Sequence, residues 1–140
     1  MHVDYPSPLN ITPWPAEVGV RCFDARHPYV AHCWAWTLGP SSIAALSLFA
    51  ELLNNARSVT VDLDQFADAL GISYGGGAHS TLCRTLQRLE RFGMAIALPD
   101  DTYAVRTAIP SLSARQLHRA PALVVALHRR HTTAERQATA

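Results

Sequence analysis

The segment from Val59 to Ile109 constrains the fold most, because its patterns follow the order strand, helix, turn, helix and hairpin. Asp62 is placed as a helix N-cap, and Val61 and Phe66 are spaced to form a hydrophobic staple across it. Gly71 is a natural helix stop. The pattern therefore predicts a short helix of about two turns between Asp62 and Gly71.

A second helix is predicted over residues 80–92, after a turn with three consecutive glycines at 75–77. Leu82, Leu86 and Leu89 recur with the helical period and define one apolar face. At about 100° per residue, four polar side chains fall on the opposite face, and Arg88 flanks them. The four are Ser80, Arg84, Gln87 and Arg91.

Two apolar runs, 94–98 and 102–109, surround Pro99, Asp100 and Asp101 and predict a β-hairpin. Residues 58–61 are expected to pair with this hairpin as a third strand. The prediction is thus a mainly α fold with a small antiparallel β wing, of the α+β class. This is the plan of a winged helix-turn-helix with N-terminal and C-terminal helical extensions.

The rest of the chain suggests three regions. Residues 1–26 contain four prolines and no helical period, which indicates an extended N-terminal arm. Residues 27–131 form the predicted domain with its flanking helices, and residues 132–140 are expected to be a frayed tail. Within the domain, Pro28 and Gly39 bracket one helix, and Ser41 or Ser42 is expected to cap the next.

That next helix, residues 43–53, is apolar over most of its circumference and must be covered on two sides. The segment with Trp34 and Trp36 is the expected cover, with a partner subunit as the alternative. Residues 121–131 carry a further apolar stripe, formed by Leu123, Val124 and Leu127. A homodimer through this stripe is predicted, and the alternative is that it folds back on helix 43–53 within one chain.

Composition excludes several classes of protein. Apolar residues make up 49% of the chain and charged residues 16%, which argues against general disorder. We expect no transmembrane segment and no signal peptide. Three cysteines, an odd count, fit a reducing compartment, so the cytoplasm is the expected location.

The net charge is only +1, but it is unevenly distributed. Residues 1–78 hold three arginines against seven acidic residues, and residues 79–140 hold nine arginines against four. The positive half begins where helix 80–92 begins, which is typical of polyanion binding. All twelve basic residues are arginine, which suits contacts to phosphate and guanine, although a coding bias explains the missing lysine as well.

These observations predict binding to double-stranded DNA, with helix 80–92 in the major groove. Ser80, Thr81 and Arg84 are expected to reach the bases first, followed by Gln87 and Arg88. Phosphate is the expected contact of Arg91, and Arg106 is the wing's candidate because Asp100 and Asp101 make its tip acidic. The alternative is that the arginines only solubilise the helix surface.

No metal, cofactor or catalytic site is expected. Cys22, His27, His32 and Cys33 lie close in sequence, but their spacing matches no zinc pattern, so they are interpreted as structural. No nucleophile elbow or phosphate-binding glycine loop is present, and an enzyme is therefore not predicted. Cys83 flanks the polar face and is interpreted as a passive, partly buried thiol.

Three series in the chain, 38–40, 62–71 and 85–95, resemble the winged-helix superfamily, and the likeness covers about residues 27–131. More narrowly, the chain is similar to a group of small actinobacterial winged-helix proteins, from which no catalytic or ligand residues carry over. The resemblance implies DNA binding or protein assembly. The leading hypothesis is a sequence-specific regulator of transcription or of a mobile element. The alternative is a winged-helix protein–protein interaction module in a larger assembly.

Overall fold

The structure, a computed structural model, describes residues 5–16, 18–75 and 77–139. Six α-helices and six strands are present in this part of the chain. In chain order they are β1 (Leu9–Trp14), β2 (Cys22–Asp24), α1 (Pro28–Leu38), α2 (Pro40–Leu53), β3 (Val59–Val61), α3 (Leu63–Leu70), α4 (Thr81–Arg91), β4 (Ala95–Leu98), β5 (Thr102–Arg106), β6 (Ala108–Pro110), α5 (Ala114–Arg119) and α6 (Ala122–Thr139).

The larger sheet has four strands in the order β3-β1-β5-β4. β1 is antiparallel to β3 and parallel to β5, while β4 and β5 form the expected antiparallel hairpin. The predicted fold class, a mainly α winged helix-turn-helix with a small antiparallel wing, is therefore wrong. The fold is α+β with a mixed sheet. β1 lies between β3 and β5, whereas the predicted wing required β3 to pair directly with the hairpin.

Residues 1–26, which the sequence suggested as an arm, thus supply an inner strand of the sheet. Pro13 is compatible with this position because of the direction of its backbone. The N–H of Asn10 donates to the Asp101 carbonyl at 2.8 Å, so the backbone N–H and C=O groups of even-numbered residues in β1 face β5. The backbone of Pro13 therefore faces the β3 side, where β3 pairs only as far as Ile11. The missing N–H of Pro13 thus costs no hydrogen bond between strands.

The core forms where the helices meet this sheet. Phe49 of α2 is fully buried, stacks on Phe66 of α3 with ring centroids 4.3 Å apart, and lies 5.9 Å from the Tyr103 ring of β5. The Tyr103 hydroxyl donates to the Leu86 carbonyl of α4 at 2.8 Å. α2 is therefore the central helix, covered by α1, α3, α4 and the sheet, and the predicted cover by the tryptophan segment is confirmed.

The boundaries of the first two helices follow from Pro28, Gly39 and Pro40. α1 begins at Pro28 and ends at Leu38, with Gly39 as its C-cap, as predicted. α2 begins earlier than predicted, because Pro40 takes the first helical position and Gly39 is the cap residue. Ser41 and Ser42, which were expected to cap α2, lie instead inside its first turn.

A second sheet and the C-terminal helices complete the fold. β2 pairs antiparallel with β6, and Ser113 and Gln116 form a capping box at α5. α6 packs against α1, with Val124 buried and Leu123 72% exposed. The alternative to the predicted dimer, a fold-back of this stripe onto helix 43–53, is therefore replaced by packing on α1. Within the described residues no helix is both long and apolar enough to cross a membrane.

Candidate nucleic-acid interface

The candidate interface is built on α4, whose start is set by local capping. α3 is capped by Asp62, whose carboxylate accepts hydrogen bonds from the N–H groups of Asp64 and Gln65. Its C-cap is Gly71, which has a left-handed φ of 73°. α4 follows after the glycine turn, with Ser80 as its N-cap. The Ser80 hydroxyl accepts the Cys83 N–H at 3.2 Å and Ser80 is buried, so this predicted base contact is placed inside the molecule.

The apolar face of α4 determines which residues point outward. Leu82, Leu86 and Leu89 are fully buried, as the helical period predicts. Cys83 is also fully buried rather than flanking the polar face. Four residues on the opposite side are exposed, and we call them the arginine face: Thr81, Arg84, Arg88 and Arg91. Gln87, the remaining predicted contact on this helix, is half-buried.

The arginine face carries positive charge that no carboxylate neutralises within the described residues. Glu90, the acid on the same helix, accepts hydrogen bonds from the Tyr5 hydroxyl and from the Ala97 N–H. The ion pairs recorded in this part of the chain join Arg26 to Asp24 and Glu51, on other elements. The face is thus a cluster of three guanidinium groups available to a polyanion.

Two of these guanidinium groups are oriented by backbone carbonyls. Arg84 donates from Nε and Nη2 to the His79 carbonyl at 3.0 and 2.8 Å. Arg88 donates from Nη1 to the Leu38 carbonyl at 3.3 Å. Each guanidinium has five N–H groups, so both retain donors for a ligand after these contacts.

Arg106, the predicted wing contact, has a different environment. Its guanidinium lies 4.1 Å from the centroid of the Trp14 ring. It donates from Nε to the Gly93 carbonyl at 2.7 Å and from Nη1 to the Pro15 carbonyl at 3.4 Å. These contacts fasten β1 to β5 and to the end of α4, and they give Arg106 a structural role that the sequence did not indicate.

Of the four cysteine and histidine residues considered for zinc, His27 and His32 both lie beside His131, whereas Cys33 is in the core. Cys33 is fully buried, and burial raises the pKa of its thiol to about 11. His27 is the N-cap of α1, where its side chain accepts the Tyr29 N–H. His32 contacts His131 of α6, with 3.0 Å between the ring nitrogens. Among the residues that the structure describes, no group of three or more potential ligands is arranged to hold a metal ion.

The structure adds one group of residues that the sequence pattern did not place at the interface. Ser41 and Ser42 of α2 line a cavity of about 200 Å³ beside the arginine face. Their only sequence signal was the pair of serines after Gly39 and Pro40, which predicted a helix cap and no ligand site.

Comparison with protein-family models, with curated proteins and with solved structures finds no match to this chain.

Proposed function

We propose that this protein binds double-stranded DNA without catalysing a reaction, and that α4 enters the major groove. The observation that carries the proposal is the arginine face: Arg84, Arg88 and Arg91 are exposed on one helix, and no acid neutralises them within the described residues. A B-DNA major groove accommodates one α-helix, and arginine forms bidentate hydrogen bonds to guanine.

The positions along α4 suggest a division of roles. Arg84 lies in the first half of the helix, and Arg84 and Arg88 are both held by backbone carbonyls that limit their movement. Preorganised side chains lose less entropy on binding, which suits them to base contacts. Arg91 lies in the last turn and is suited to phosphate. Burial makes Ser80 an unfavourable contact, and its packing on Trp14 favours a structural role for Arg106.

The setting of the protein is part of the same proposal. All three cysteines are free, and two of them are buried. Free thiols in this number fit a reducing compartment, so we place the protein in the cytoplasm, where DNA is available to it. Regulation of transcription or of a mobile element is the corresponding role.

The test is a selection of duplexes from a random library with the purified chain, followed by fluorescence anisotropy on the selected duplex. Arg84→Gln and Arg88→Gln are each expected to weaken specific binding by about 1–3 kcal/mol. Arg91→Gln is expected to weaken all duplexes alike and to lower the slope of log K against log salt by about one. Arg119→Gln, an exposed arginine on α5, is the matched control and should bind as the wild type does.

The salt series separates DNA binding from the alternative of a protein-interaction module. Counterion release predicts a steep loss of affinity as salt rises. If no duplex is enriched, or if the combined Arg84, Arg88 and Arg91 variant binds the selected duplex like the wild type, the proposal is wrong. The arginine face would then be available for an acidic protein partner.

A further inference from the structure

The cavity beside the arginine face lies where the first turn of α2 meets α4. It has a volume of about 200 Å³. Its lining consists of two arginines and four hydroxyl-bearing residues, with no acidic side chain: Ser41, Ser42, Thr81, Arg84, Thr85 and Arg88. Such a lining offers many hydrogen-bond donors and a positive charge, which is the composition of a site for an anion.

The backbone at the N-terminus of α2 also favours an anion in this cavity. Its N-cap is Gly39, which has no side chain to accept the N–H groups of the first turn. Pro40 has no N–H, so the first free donors of this helix end belong to Ser41 and Ser42, both in the cavity wall. The positive end of the helix dipole therefore lies at the cavity.

Ser42 provides an independent indication of a ligand site. Its side chain is only 1% exposed, and its hydroxyl has no hydrogen-bond partner among the described residues. Buried hydroxyls are nearly always paired, because an unmade hydrogen bond leaves the cost of desolvation uncompensated. The neighbouring Ser41 hydroxyl, by contrast, lies 3.1 Å from the Thr85 hydroxyl.

The two arginines complete the geometry. Arg84 and Arg88 reach the cavity from α4 while the carbonyls of His79 and Leu38 hold their guanidinium groups in place. Planar guanidinium forks match the oxygens of phosphate and bind them in pairs. The cavity is smaller than the 300–1,000 Å³ usual for whole ligands, so it suits a single charged group.

We propose that this cavity is a binding site for one phosphate group, held by Arg84, Arg88, the Ser42 hydroxyl and the N-terminus of α2. The phosphate group can belong to a free phosphate ester or to the backbone of a duplex. The site goes beyond the proposed DNA binding and does not depend on it, because inorganic phosphate is sufficient as a probe.

The experiment titrates inorganic phosphate into the full chain by calorimetry, with chloride adjusted to keep ionic strength constant. Wild type is expected to bind phosphate at millimolar concentration. Ser42→Ala is expected to bind at least about tenfold more weakly, which corresponds to the loss of one hydrogen bond. In phosphate-free buffer the same variant should melt no lower than the wild type, because the hydroxyl it loses has no partner.

Further variants keep the test decisive if Ser42→Ala does not fold. Arg88→Gln should also lose phosphate binding, whereas Arg91→Gln, an arginine of the same face outside the cavity, should retain it. The site is disproved if the wild type binds no phosphate, or if Ser42→Ala and Arg88→Gln bind it like Arg91→Gln.

The source of the phosphate group is identified by repeating the Ser42→Ala comparison on the selected duplex. Weaker binding to both probes assigns the site to a backbone phosphate of DNA, and Arg84 and Arg88 then contact phosphate instead of bases. Weaker binding to phosphate alone assigns it to a free phosphate ester. If no duplex is enriched at all, the DNA proposal fails while the phosphate titration still supports or disproves the site.

Discussion

The Tyr29 hydroxyl of α1 lies 2.7 Å from Nδ1 of His128 in α6, and the same hydroxyl accepts the Leu112 N–H at 2.8 Å. The tautomer of His128 that carries its proton on Nε2 accepts the hydroxyl hydrogen at Nδ1. Burial, together with the charges of Arg21 and Arg129, lowers the pKa of His128 below its ordinary value. The neutral imidazole is therefore the form that joins α6 to α1.

A pH dependence of stability follows from this arrangement. Burial lowers the pKa of His131 as well, and the nearby His32 acts in the same direction. The unfolded chain then binds protons at a higher pH than the folded chain does. We expect the free energy of unfolding to fall as pH drops through the ordinary histidine value of about 6.5 and toward the lower folded values.

Urea unfolding between neutral pH and about pH 5.5 measures this loss, above the range in which free carboxylates titrate. His128→Asn keeps an acceptor near the position of Nδ1 and cannot take up the proton, so its pH slope should be smaller. His118→Asn, an exposed histidine on α5, is the control and should keep the wild-type slope. Equal slopes in all three proteins would contradict the prediction.

The inner position of β1 predicts a large effect of truncating Ile11. This side chain is fully buried, and its residue pairs with β3 on one side and β5 on the other. Ile11→Ala is expected to lower the free energy of unfolding by about 2–5 kcal/mol, measured by urea unfolding. Ile96→Ala in β4, where the side chain is 40% exposed, should cost clearly less. Similar losses in both variants would mean that β1 is a separable arm.

The stacking of Arg106 on Trp14 predicts a loss of stability without a loss of DNA binding. A cation–π contact at a partly exposed site contributes about 0.5–1 kcal/mol, and two carbonyl contacts are lost with it. Arg106→Gln should therefore melt lower than Arg119→Gln, although both remove one positive charge. A selected duplex should bind both variants equally well. Weaker DNA binding by Arg106→Gln alone would contradict the prediction and would mean that Arg106 contacts the DNA.

Substitutions of Leu123 and Val124 distinguish a dimer formed through the C-terminal stripe from a monomer. Leu123 is 72% exposed, whereas Val124 is buried against the core. If the predicted dimer forms through residues 121–131, sedimentation of Leu123→Glu should show folded monomers where the wild type sediments as a dimer. Val124→Glu should destabilise each chain, because it places a charge in an apolar contact. A wild-type protein that sediments as a monomer would contradict the dimer.

The sequence alone determined the elements that depend on short-range patterns. Asp62 and Gly71 delimit α3, the leucine period of α4 turns its arginines outward, and the turn at residues 99–101 joins β4 to β5. Each of these features depends on residues only a few positions apart, whose relation is set by the period of the helix or the geometry of the turn.

Only the tertiary structure decided which distant segments meet. β1 pairs in parallel with β5 across some ninety residues, although its prolines predicted an arm. Pro13 fits this strand because β3 pairs with β1 only as far as Ile11. Ser42 and Arg88 meet in one cavity because α2 and α4 cross there. Such contacts depend on how whole faces pack and on the entropy of closing long loops, and no local period encodes either of these.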